Sequence, residues 1–104
     1  MSAKISVIIK QPGRAPYKTA ISATLENLQQ TVGGYIETVT FATDLVAICN
    51  EEGRLLGMPH NCTIAGVEFV GPVIFAGIQG EEFGSLEIDF QSFKRMFEHL
   101  WEEA

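Results

Sequence analysis

Basic residues are scarce in this chain. Seven Lys and Arg stand against 13 Asp and Glu, a formal net charge of −6. Nucleic-acid surfaces are built from clustered Lys and Arg, so no direct nucleic-acid partner is expected. Cysteine is scarce too: only Cys49 and Cys62. A chain of this length with a real core needs no disulfide staple, and two lone thiols suit a reducing compartment. No apolar run approaches the roughly 20 residues that a membrane span requires. The opening MSAKISVIIKQPGR carries only the short apolar run Ile5 to Ile9, broken by Ser6, without a small-residue cleavage pattern. It reads as a first strand and not as a secretion signal. The expectation is a cytoplasmic protein with no membrane partner.

Catalytic and cofactor motifs are also missing. There is no GxGxxG or GxxxxGK[ST] phosphate loop, no HExxH, no calcium-loop spacing and no Ser/His/Asp order. Repeats, low-complexity tracts and linkers are absent as well. A tetrahedral metal site needs four N or S ligands, or three and a water. The chain offers His60 and Cys62 two residues apart, with Cys49 in a strand and His99 on the side of its helix away from Phe90. No metal and no cofactor are expected. Cys62 with His60 as base would need a special loop geometry and a lowered thiol pKa. The adjacent acid pairs Glu51/Glu52 and Glu81/Glu82 diverge in a turn or strand, and their separation across a cleft cannot be read from spacing. The chain is therefore expected not to be an enzyme.

What is present is a hydrophobic share of 46%, enough for a modest core in one domain over residues 1–104. KISVIIK reads as strand one, QPGRAP as a turn or a basic phosphate-contacting loop around Arg14, and YKTAIS as a short second strand. TLENLQQTVGG reads as a short helix over residues 24–32. Thr24 is its N-cap, Leu25, Leu28 and Val32 form its apolar face, and Gly33 is its left-handed terminator. YIETVTFA alternates, with Tyr35, Glu37, Val39 and Phe41 on one face, which leaves Glu37 either at a sheet edge or on a largely apolar face. LVAIC reads as a strand covered on both sides. Asn50-Glu51-Glu52-Gly53 reads as a turn closed by a positive-φ glycine, returning Leu55 and Leu56 antiparallel to residues 45–49.

Beyond Pro59, HNCTIAG reads as loop, GVEFV and PVIFAGIQ as strands around Gly71-Pro72, and GEEFGS as a polar loop. Asp89 N-caps a last helix on which Phe90, Phe93, Phe97, Leu100 and Trp101 form an aromatic stripe. That stripe is core, with room for a homodimer contact. Charge is uneven. Lys4, Lys10, Arg14 and Lys18 precede the first acid, Glu26, whereas residues 81–104 hold seven acids against Lys94 and Arg95. The acidic end serves solubility or faces a basic partner.

VGGYIE (32–37), LVAICNEEGRLLGMPHN (45–61) and GPVIFAG (71–77) together resemble the DUF3846 family of phage and mobile-element proteins. The resemblance covers residues 28–77, and Asn50 stands where family members often have Asp. It implies a phage, prophage or plasmid setting in a bacterial cell, and it brings no activity or catalytic residues. The positions that match its motif are Gly33, Gly34, Tyr35, Glu37, Glu51, Glu52, Gly53, Pro59 and Asn61.

The fold expected is α+β: a largely antiparallel sheet of five or six strands, with the short helix and a C-terminal helix packed on one face. The function expected is that of a small acidic interaction protein binding a host or phage protein, in counter-defence or modulation of nucleic-acid machinery. The binding residues named are Tyr35, Glu37, Glu51, Glu52, His60 and Asn61. The alternative is a nucleotide-like small-ligand pocket around Tyr35, Glu37, Asn61, Lys10 and Arg14.

Overall fold

The computed structural model describes the backbone of residues 4–102 and the side chains of residues 4–96. Eight strands and two helices follow one another as β1 (Lys4–Lys10), β2 (Tyr17–Ser22), α1 (Leu25–Val32), β3 (Ile36–Ala42), β4 (Leu45–Asn50), β5 (His60–Ile64), β6 (Val67–Val70), β7 (Val73–Gln79), β8 (Glu82–Gly84) and α2 (Phe90–Glu102). The main sheet runs β2-β1-β7-β4-β3 with β8 paired to β7, and every pairing is antiparallel. Strands β5 and β6 form a separate two-stranded sheet. The expected α+β domain with an antiparallel sheet is observed, and the second sheet is an addition to it.

The continuous apolar run of β4 is explained by its place. It lies between β3 and β7, and alternate residues enter two cores. Val46 and Ile48 join Val7, Ile9 and Ile74 on the face covered by Leu28 and Val32 of α1. Ala47 and Cys49 face the other way, with Ile8, Phe75, Phe69 and Phe93. That second face is covered by the β5–β6 hairpin and by α2, whose Phe93 ring lies 5.1 Å from that of Phe75.

The helix signals hold. The Thr24 hydroxyl accepts from the Asn27 amide at 3.2 Å, and Gly33 ends α1 at φ 85°. The Asp89 carboxylate accepts from the Ser92 amide at the start of α2. Leu28 and Val32 are buried, but Leu25, the first residue of α1, is 58% exposed. Phe90 packs against the core partly buried. Phe97, Leu100, Trp101 and His99 have side chains outside the described residues.

Three expectations of secondary structure fail. Leu55 and Leu56 do not return along β4, because β3 and β7 already occupy both of its edges; residues 51–57 are turn. HNCTI is strand β5 and not loop. Its hairpin to β6 closes through Ala65 and Gly66 at φ 50° and 81°, a two-residue turn with both central residues left-handed. Residues 82–84 of GEEFGS pair with β7 as β8. Among the described residues, no helix is long and apolar enough to cross a membrane.

Candidate functional site

Segments 32–37 and 45–61, two of the three family-like segments, meet at one tip of the main sheet, where α1 hands over to β3 and β4 ends. Asn50, the last residue of β4, is 6% exposed. Its Nδ2 donates to the Val32 carbonyl at 3.1 Å, and its Oδ1 accepts from the Glu52 amide at 2.7 Å. The Glu51 amide donates to the Tyr35 carbonyl at 2.8 Å. One side chain therefore ties the end of α1 to the start of the 51–57 turn. Gly53 does not take the positive φ expected of it. It is needed for space, since a Cβ there would lie 2.8 Å from Val70 Cγ2.

The 51–57 turn forms a ridge with a concavity on each side. On one side a cavity of about 350 Å³ is lined by Gly34, Tyr35, Glu52 and Leu56. On the other a groove of about 430 Å³ runs between the main sheet and the hairpin. Val39, Cys49 and Phe69 supply its apolar surface, while Glu37, Glu51 and Arg54 supply polar groups. All four residues of β6 line it. Large hydrophobic side chains stand in the open at this tip: Tyr35 is 66% exposed, Leu55 85% and Leu56 60%.

Charge around the groove is mostly negative. Arg54 Nη1 contacts Glu68 Oε1 at 3.1 Å, and Nη2 donates to the Glu68 carbonyl at 3.2 Å. His60 Nδ1 lies 2.7 Å from the other carboxylate oxygen. The hydrogen bond from His60, followed by the charge of Arg54, holds the Glu68 carboxyl below its ordinary range. Glu37 and Glu51 have no ion-pair partner among the described residues. The Cys49 thiol donates to the Glu37 carbonyl at 3.7 Å. Burial, and then the charge of Glu37, push it up to about 11. Burial pushes Cys62 up to about 11 as well, against the charge of Lys10. Both thiols are therefore protonated and poor nucleophiles at neutral pH.

The six residues singled out in the sequence divide between four places. Glu37 and Glu51 line the groove, and Tyr35 and Glu52 line the smaller cavity. His60 does not line either concavity and pairs with Glu68 of β6. Asn61 is fully buried, its Nδ2 donating to the carbonyls of Lys10 and Gly71 at 2.8 and 2.7 Å, so it locks β5 to the ends of neighbouring segments. The five residues of the nucleotide-like pocket are not brought together either. Lys10 is 3% exposed, and Arg14 lines an open hollow with Gln11, Ala15 and Tyr17. Among the described residues, no group of three His, Cys, Asp or Glu is placed to hold a metal ion. Sequence reasoning missed Arg54, Glu68, Leu55 and Leu56. The signal for the last two was an apolar pair in a turn with no strand edge to join.

Residues 5–98 match the family described as Domain of unknown function (DUF3846). The chain belongs to this family. The match extends beyond residues 28–77 on both sides, so β1, β2 and most of α2 belong to the family pattern. No curated protein and no solved structure matches the chain. Within this DUF3846 chain, the motif glycines and Asn50 are explained by the tip's own packing. The outward side chains of Tyr35, Glu37, Glu51 and Glu52 are not.

Proposed function

We propose that the chain is a non-enzymatic binding protein that docks a protein partner on the tip built from residues 33–37 and 51–56. The observation that carries this reading is the exposure of Tyr35, Leu55 and Leu56 side by side with Glu37, Glu51 and Glu52. Apolar anchors inside a charged rim are the usual anatomy of a protein interface. Each such side chain gains on the order of 1.5–3 kcal/mol when buried, before the costs of association. The excess of carboxylates favours a partner with a basic face and a salt-sensitive association. The phage or mobile-element setting implied by the resemblance makes a host or phage protein the partner to seek, including components of defence or nucleic-acid machinery.

A photo-crosslinking residue at position 56, used in bacterial cells, tests this. The reading expects one discrete adduct that disappears when Tyr35→Ala and Leu55→Ser are introduced and the melting temperature is unchanged. A tip that yields no adduct, or the same adducts as a crosslinker placed at Thr19 on the far edge of the sheet, overturns it.

A further inference from the structure

We infer that the groove beside the 51–57 turn accepts an extended, basic peptide segment as a strand on the free edge of β6. The inference rests on the proposed protein-binding role of the tip and names the chemistry of what binds there. Its first support is backbone geometry. The Ala65-Gly66 turn closes on the pair Ile64–Val67, so the next pair, Thr63–Glu68, is of the kind whose N–H and C=O groups point away from the partner strand. The outer edge of β6 thus presents the Glu68 amide and carbonyl. The 3.2 Å contact of Arg54 Nη2 with that carbonyl fixes which way the edge faces.

The second support is the groove itself. It holds about 430 Å³, the scale of a few residues of chain, and runs along all of β6 from Val67 to Val70. A strand added at a sheet edge gains affinity from main-chain hydrogen bonds and specificity from alternate side chains. Here one set of side chains would meet Val39, Cys49 and Phe69. The other would lie within the field of Glu37, Glu51 and Glu68, where Arg54 is the one Lys or Arg among the described lining residues. A Lys or Arg on the incoming strand complements that field, and an acidic residue is repelled by it. In the free protein the exposed Arg54 covers the Glu68 carbonyl, and it swings aside when a strand supplies an amide in its place.

The test uses the full chain, labelled for NMR, and a capped heptapeptide of alternating valine and lysine as probe. Saturable binding is expected, with new protection of the Glu68 amide against hydrogen exchange. A peptide with glutamate at the lysine positions should bind at least about tenfold more weakly. N-methylating alternate residues should abolish binding in one parity and spare the other, because only every second amide faces the edge. Arg54→Ala should tighten binding a few-fold, and Glu37→Gln with Glu51→Gln should weaken it. No saturable binding, equal binding of both N-methylated parities, or amide shifts confined to Tyr35 and Leu56 would overturn strand addition. Crosslinking at the tip that persists alongside such a result would leave the proposed protein-binding role standing.

Discussion

Gly34 and Asn50 fit against each other at the tip: a Cβ on residue 34 would lie 2.9 Å from Asn50 Nδ2, the atom that donates to the Val32 carbonyl. Gly34→Ala should therefore push Asn50 off that carbonyl and cost about 1–3 kcal/mol. Asn50→Asp keeps the turn-forming oxygen but loses the donor, and should cost a similar amount. Urea denaturation of the two variants checks both, and an Asn50→Asp protein as stable as the parent would show that the Val32 bond contributes nothing.

Asn61 is fully buried and bonded to two carbonyls, so its substitution should be felt in stability. Asn61→Ala removes the two buried hydrogen bonds that Nδ2 donates to the carbonyls of Lys10 and Gly71. It also removes the Asn61 Oδ1, which has no hydrogen-bond partner among the described residues and is itself a cost. The net expectation is a loss of about 2 kcal/mol. Thermal and urea unfolding would contradict this account if the variant matched the parent.

The depressed Glu68 carboxyl sets a pH dependence. A carboxyl held low in the folded state adds stability above its unfolded value, close to 4.5, and the contribution is lost as pH falls through the lower folded value. Glu68→Gln should accordingly melt below the parent at pH 7, and the two curves should converge in acid below that window. Because the cluster is exposed, added salt should narrow the pH 7 difference. Melting differences that stay constant from pH 7 to pH 3 would rule out the ionised Glu68 as their source.

Both thiols should resist alkylation. Groups pushed up to about 11 hold only about 0.1% thiolate at pH 8. Iodoacetamide should thus modify the native protein about a hundredfold more slowly than the urea-unfolded chain. Cys49, at the groove surface, should react before the fully buried Cys62. Mass spectrometry of timed samples decides it, and rapid native labelling of Cys49 would contradict the thiol environment described.

Local signals in the sequence carried much of the fold, and long-range pairing carried the rest. Thr24 and Gly33 bracket α1 because capping chemistry acts within a turn or two of the chain. β5 escaped notice because His60 and Asn61 look like loop residues. Their places depend on Glu68, Lys10 and Gly71, which are distant in sequence from one or both of them. Ala65 at φ 50° hid the hairpin turn, since alanine seldom takes that conformation. Leu55 and Leu56 look like strand residues until the occupancy of both β4 edges is known. Of the candidate site, the motif residues Tyr35, Glu37 and Asn61 read as side chains without a backbone duty, and for Asn61 that reading fails, because it is fully buried and bonded to two carbonyls. Arg54 and Glu68 were not legible, because their roles exist only once the hairpin folds against the turn.

The division of labour within residues 50–58 has a consequence for how this domain can change. Asn50 and Gly53 anchor the turn from inside, whereas Arg54, Leu55 and Leu56 point away from every core. The outward residues can be exchanged without disturbing the scaffold that holds them, as in other folds whose recognition loops sit on a rigid frame. Under the proposed binding role, the domain would be a holder with an interchangeable reader, its target set by three positions that carry no part of the core.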